Sequence, residues 1–410
     1  MQKKISLKKG ILYNSAGSIT NLGCQWLTTV LVLRMGGYQA AGFLSLAMSV
    51  SNIFYTAALY GMLSYQISDL RPEFVEKEYF AAKGCTVFVS TLLCAAVCIV
   101  SHYSVAQTIT VLLYMLYRAV ETFQDTFYGI GQKAGRLDLV GGSKLIKGIL
   151  SLACFVGFLK ISQSVQWAVA GIFLAVCITL FFYDRTFLGR LIAPLRQFQW
   201  DKVKQLLLRC FPFALSSVLY TITLSLPKIY LEKAIGSEIL GAYSSVGAPI
   251  MIIQVAAAYL FIPMATPFAQ YYEQGARKKL TGLVMQFLGL TGLLALLALT
   301  GVKIFGAFGL RLLYGEKILQ YQDFLIPLTV CTILTACMLF LNMLMTVIRA
   351  FKGLLLGNIL GISAICICLP DLIGRFGANG ASYAQIIALS IQIMVMALST
   401  AKKIYHLNEG

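Results

Sequence analysis

Long apolar stretches alternate with short polar ones along the whole chain. Twelve of them approach or exceed the roughly 20 residues an α-helix needs to cross a bilayer. They fall at about 10–33, 39–64, 84–102, 104–123, 145–160, 165–183, 208–230, 239–264, 281–305, 322–346, 353–370 and 379–400. The polar connections are too brief to hold a soluble domain. The pattern therefore predicts an all-α polytopic membrane protein with about 12 transmembrane helices. The first stretch contains Asn14, Ser15, Asn21 and Gln25 and no small-residue cleavage site after a compact apolar core, so it reads as a span and not as a signal peptide.

A shift of 199 residues brings two regions into register. Residues 34–46 (RMGGYQAAGFLSL) fall on 233–245 (KAIGSEILGAYSS), with Gly37 on Gly236, Gly42 on Gly241 and the cation Arg34 on the cation Lys233. The loops Asp69–Lys83 and Phe268–Gly282 coincide as well. This predicts two six-helix lobes, residues 1–184 and 208–410. With six spans each they share one orientation, the parallel-repeat arrangement of alternating-access transporters. Between them, residues 185–207 set Arg190, Arg196, Lys202 and Lys204 among Leu, Phe and Trp200. That segment reads as an amphipathic linker on the cytoplasmic surface, or as a plain basic connection without a ligand.

Composition supports the membrane reading, with 59% hydrophobic and 12% charged residues, and the net charge of +17 refines it. On this topology 24 basic residues, Lys83, Lys144 and Lys147 among them, lie in loops on the side of the N-terminus, eight lie opposite, and Arg118 is left inside a span. The positive-inside rule then places both termini in the cytoplasm, consistent with an even number of spans. The basic charge is a topology signal and an attraction to anionic membrane lipids, not a nucleic-acid patch. The eleven cysteines form no CxxC, and His102 and His406 are far apart, so neither a metal site nor a His-based catalytic site is expected. Gly141-Gly142-Ser143-Lys144 lacks P-loop spacing. A membrane glycosyltransferase or polymerase would need large loops with paired carboxylates, and the loops here are short. An enzyme is not expected. Gly357-x-x-x-Gly361 marks close helix packing.

The stretch Arg118–Gly148 carries the most information. Arg118, Glu121 and Asp125 follow an apolar run at helical spacing, and ionisable groups at membrane depth are costly enough to read as functional. Arg118 and Glu121 stand i, i+3 and can pair, with Asp125 one turn further on. Such a pair either fixes helix packing or takes part in ion exchange.

The run Arg118-x-x-Glu121-x-x-x-Asp125-x-x-x-Gly129-x-x-Gln132-x-x-x-Arg136-x-Asp138, followed by Ser143 and Lys147-Gly148, resembles polysaccharide-unit flippases of the Wzx type. These belong to the multidrug/oligosaccharidyl-lipid/polysaccharide (MOP) exporter superfamily. Pro227-Lys228-x-Tyr230 with Gly241, and Leu312-Leu313-Tyr314-Gly315, extend the likeness. The resemblance implies a V-shaped, two-lobed transporter that carries an undecaprenyl-pyrophosphate-linked oligosaccharide to the outer leaflet. It implies coupling to H⁺ or Na⁺, no other cofactor, and a polysaccharide polymerase as a partner. A diphosphate needs cations in a wet cavity, for which Arg34, Arg118 and Lys228 are the candidates. Arg34 reads equally as a snorkelling helix end. Glu121 and Asp125 are the candidates for coupling or ion pairing. Asn14, Asn21, Gln25, Asn52 and Tyr55, with Tyr230, Gln254 and Asn342 in the second half, are the candidate polar lining for the glycan. An ion-coupled multidrug antiporter and a lipid II flippase are the alternatives within the superfamily.

Overall fold

A computed structural model describes residues 6–68, 73–192, 198–261, 264–348 and 350–405. The described residues are almost wholly helical. Ten helices are long and apolar enough to cross a bilayer among them. One of these regions, Lys8–Ser68, is 61 residues long, enough for two crossings. Its main helix α1 (Leu7–Leu59) would be about 80 Å long if straight, against roughly 30 Å of hydrocarbon. It breaks at Gly37, whose φ of 79° and ψ of −177° are open in practice only to glycine. Helix α4 (Val105–Lys133), 29 residues, is long enough for a further crossing. Gln107, Arg118, Glu121, Gln124 and Asp125 make it more polar than its neighbours. The total agrees with the dozen spans read from the sequence.

The chain divides into two compact units, Met1–Thr221 and Ile222–Gly410. In the first, the two halves of α1 pack with α3 (Glu76–Val100), α4, α5 (Leu137–Ser162) and α6 (Val165–Ile178). A short α2 (Met62–Ser68) follows the second crossing. Ser104 caps α4: its hydroxyl accepts from the Gln107 N–H at 3.3 Å, and Gln107 Oε1 accepts from the Ser104 N–H at 2.9 Å. Helix α6 widens into a π-helical stretch, Thr179–Leu188, and ends in a short 3₁₀ turn, Gly189–Leu191. Helix α7 starts at Trp200 and runs to Ile235. The described part of 185–207 is therefore shared between the ends of two helices, with no separate helix of its own. Arg196 lies outside the described residues.

The second unit contains α8 (Ser237–Phe261), the short α9 (Ala265–Glu273), α10 (Arg277–Tyr314), α11 (Leu325–Val347), α12 (Phe351–Phe376) and α13 (Ala378–Tyr405). Helices α12 and α13 pack through the glycine pair read from the sequence. A Cβ on Gly357 would come 3.1 Å from Met396, and one on Gly361 would overlap Gln392. Both units turn large apolar side chains outward, such as Phe88, Leu92, Ile99, Phe305 and Ile367, each more than half exposed. In lipid that orientation carries no penalty, because acyl chains are as apolar as leucine.

Candidate functional site

Polar side chains gather inside the first unit, toward the end where α3 and α5 begin and α4 stops. On α4, Tyr114, Tyr117, Arg118, Glu121, Asp125 and Tyr128 recur every three or four residues and so share one face. At 1.5 Å per residue, Glu121 lies about 18 Å from the end of α4 and Lys147 about 15 Å from the start of α5. The two are thus at matching depth within the unit.

Glu121 Oε2 accepts from Arg118 Nη1 at 2.6 Å, and Oε1 accepts from Lys147 Nζ at 2.7 Å. The three side chains are 5%, 12% and 7% exposed, so the pairing is shielded from water. Two cations share one carboxylate, leaving a net charge of +1. Three tyrosine rings offset part of the cost. The guanidinium of Arg118 lies 4.7 Å from the Tyr55 ring centroid, 5.2 Å from that of Tyr114 and 5.0 Å from that of Tyr117, within cation–π range. Its Nη2 also donates to Tyr114 Oη at 3.1 Å. Its buried Nε has no acceptor among the described residues.

A second ion pair lies nearer the helix ends. Lys83, almost wholly buried on α3, donates to Asp125 Oδ2 and to the Leu59 carbonyl, both at 2.9 Å. Lys144 on α5 donates to Asn14 Oδ1 at 3.3 Å and Ser18 Oγ at 3.1 Å on α1, and stands 5.5 Å from the Tyr128 ring centroid. Beside the triad is a cavity of about 40 Å³ lined by Asn21, Gln25, Tyr114, Tyr117, Lys147 and Ser151, among others. At roughly 10–15 Å³ per water it admits about three water molecules and no glycan.

The structure therefore joins Tyr55, Arg118 and Glu121, and sets Asn21 and Gln25 on the same cavity. Asn14 is engaged by Lys144. Asn52 lies half-buried one turn before Tyr55 on α1, its carbonyl taken by the Thr56 hydroxyl at 2.9 Å. Arg34 is exposed, three residues before the Gly37 break and so at the opposite end of the crossing. In the second unit, Lys228 and Tyr230 are half-buried on α7 and Gln254 on α8. Asn342 on α11 donates back to the Met338 carbonyl at 2.9 Å. Lys228 has no ion pair among the described residues and lies in the electrostatic neighbourhood of Cys331 on α11.

Three sequence expectations need correction. Lys83 and Lys147 are not loop charges: both are buried in helices, where their ammonium groups serve carboxylates of α4. Lys144 likewise lies within α5, hydrogen-bonded to α1. Asp125, the partner of Lys83, is largely buried as well. Lys83 is drawn inside because α3 begins at Glu76, about two turns before the predicted span. Lys144 and Lys147 are drawn inside by the α4–α5 connection, which is only Ala134–Arg136, so that α5 starts about two turns earlier than the hydropathy pattern suggests.

No protein-family model matches the chain. It is similar to the capsular polysaccharide biosynthesis protein CapF of Staphylococcus aureus, with 24% identity over 249 residues, 60% of this chain and 61% of that protein. The match thus spans about three fifths of the relative's length. Among solved structures, the lipid II flippase MurJ in its inward closed conformation superposes with a TM-score of 0.75 at 13% identity, over 97% of this chain and 90% of that one. A mutant of the Vibrio cholerae MATE transporter VcmN gives 0.64 at 12% identity, over 98% and 97%. An outward-facing multidrug resistance MATE family transporter of the MOP superfamily gives 0.63 at 14% identity, over 99% and 98%. The chain has the fold of the MATE and MurJ transporters of the MOP superfamily, and these neighbours are transporters rather than enzymes.

Proposed function

We propose that this protein is a flippase that moves undecaprenyl-pyrophosphate-linked oligosaccharide repeat units from the cytoplasmic to the outer leaflet of a bacterial cytoplasmic membrane. It works by alternating access, with both termini cytoplasmic, and supplies the biosynthesis of a surface polysaccharide such as a capsule. The observation that carries the reading is the surplus positive charge of the Arg118–Glu121–Lys147 triad at membrane depth. An anionic headgroup can take over one or both cations from Glu121, and Arg is suited to grip phosphate oxygens bidentately. The free Nε–H of Arg118 adds a donor without breaking any existing bond. A pump for cationic drugs would need the opposite, a surplus of carboxylates.

Arg34 and Lys228 extend the cation path to other depths. Asn14, Asn21, Gln25, Asn52, Tyr55, Tyr230, Gln254 and Asn342 supply amides and hydroxyls for sugar. Coupling to H⁺ or Na⁺ acts through Glu121, released when substrate takes its cations, while Asp125 stays paired with Lys83. A polysaccharide polymerase receives the product. The likeness to a capsular polysaccharide biosynthesis protein and the superposition on a lipid II flippase favour a lipid-linked glycan over a drug.

The test is deletion of the gene in its host with analysis of lipid extracts. Loss of surface polysaccharide together with accumulation of a lipid-linked repeat unit is expected. Intact polysaccharide with no such intermediate would overturn the reading. Arrest of peptidoglycan synthesis instead would point to lipid II as the cargo.

A further inference from the structure

A second buried polar centre lies in the first unit, in the π-helical stretch that ends α6. Asp184 is fully buried, and the Gly189 N–H donates to its backbone carbonyl five residues back, closing the wide turn around it. π-helical geometry is rare and is found frequently at functional sites. Gln124, equally buried on α4, donates from Nε2 to Asp184 Oδ2 at 2.8 Å. The other oxygen of each partner, Asp184 Oδ1 and Gln124 Oε1, has no donor among the described residues. Two side chains that share one hydrogen bond thus each leave a buried acceptor empty.

Charge compensation is missing too. Glu73, Glu121, Asp125 and Asp138 each have a Lys or Arg within ion-pair distance, whereas Asp184 has none among the described residues. From α4 it faces Gln124, while the Tyr128 hydroxyl is engaged with Ser143 Oγ at 3.1 Å. From α5 come the Ser143 hydroxyl, close enough to favour the carboxylate by hydrogen bonding, and the field of Lys147, whose ammonium is held by Glu121. Arg136, at the start of α5, is committed to Asp138. On its own stretch Tyr183 is adjacent, and Arg185 and Arg190 are exposed. A carboxylate buried without a cation neutralises itself by taking up a proton. A neutral acid and a primary amide are complementary, since N–H to oxygen in one direction is matched by O–H to oxygen in the other.

We propose that Asp184 is a proton-binding site that holds its proton as a neutral carboxylic acid paired with Gln124. A hydronium ion gives its proton to Oδ1 and leaves as water, the new O–H becomes the donor the pair lacks, and release of the proton to water reverses the step. Lys147 connects this centre to the triad. When an anion displaces Glu121 from Lys147, the freed ammonium favours loss of the Asp184 proton. The proton site itself needs no assumption about the transported substrate.

The test is infrared difference spectroscopy of the purified full chain in detergent across a pH series, in H₂O and D₂O, with sodium chloride and with choline chloride. A protonated-carboxyl C=O band that persists to neutral pH, shifts in D₂O and disappears in Asp184→Asn is expected. Gln124→Leu should move the same band, because it loses its hydrogen-bond partner. Absence of the band in the parent chain would overturn the proposal, as would its persistence in Asp184→Asn or its indifference to Gln124→Leu. A band abolished by sodium and not by choline would assign the site to a metal cation and overturn it equally. Because the readout is spectroscopic, it stands or falls separately from flippase activity.

Discussion

Lys147 and Glu121, 26 residues apart on neighbouring helices, meet at 2.7 Å deep in the first unit, and the carboxylate that receives Lys147 is the one that also holds Arg118. This makes Glu121 the single counter-charge of two cations. Removing it leaves both buried without a partner, while removing one cation leaves a matched pair.

Glu121→Gln should accordingly lower stability by about 3–5 kcal/mol, the usual cost of breaking a buried ion pair from one side. Glu121→Gln/Lys147→Gln should recover part of that loss, because the second change removes one orphaned charge. Thermal melts of the purified variants in detergent give the comparison. A double variant no more stable than Glu121→Gln would show that the two side chains are not coupled.

Arg118→Lys keeps the charge but loses the planar group that three tyrosines surround and the fork that serves Glu121 and Tyr114 at once. Surface polysaccharide should fall about tenfold, corresponding to about 1.4 kcal/mol, while the amount of protein in the membrane stays near the parent level. Quantifying polysaccharide in complemented deletion cells decides it, and parental output from Arg118→Lys would remove the guanidinium from the mechanism.

Gly148 lies where α5 crosses α1, and a Cβ there would come 2.7 Å from Asn21 Cα. Since that neighbour is backbone, Gly148→Ala should cost about 1–3 kcal/mol by forcing the helices apart. Gly157→Ala on the same helix meets nothing within 4 Å and serves as the control. Equal melting temperatures for the two variants would contradict the close crossing.

The loop before α3 is tied to α7 by Glu73, which accepts from Arg209 Nη1 and Nη2 at 2.5 and 2.9 Å. Those hydrogen bonds hold the Glu73 carboxyl below the usual range. A depressed folded value means the stabilisation is present above the ordinary glutamate range and is lost as pH falls through the folded value. The melting difference between the parent and Glu73→Gln should therefore be small, present at neutral pH, and vanish in acid. It should also shrink with added salt, because Glu73 is 38% exposed. A difference that grows on acidification would refute the assignment.

Much of this was legible in the chain itself. The hydropathy pattern marked the dozen crossings, including the two inside α1, because a bilayer imposes a nearly constant length on any helix that spans it. The i, i+3 spacing of Arg118 and Glu121 foretold their pairing, since neighbours on one helix have a fixed geometry. Lys147, Lys83 and Asp184 were not legible. Each sits near the predicted boundary of a span, where a charge reads equally as a loop residue. Asp184 falls one residue past the predicted sixth crossing, and the only local hint was Gln124 lying between Glu121 and Asp125.

The sequence by itself determined what is local and what the membrane enforces: the number of helices, their approximate limits, and which residues of α4 share a face. Only the tertiary structure decided which carboxylate each lysine serves, which cations are left in surplus, and that Asp184 is left with an amide instead of a cation. Those outcomes depend on the depth and rotation at which α3, α5 and α6 pack against α4. Short loops set the depth, close crossings such as Gly148 against Asn21 set the rotation, and neither is written in the periodicity of any single helix.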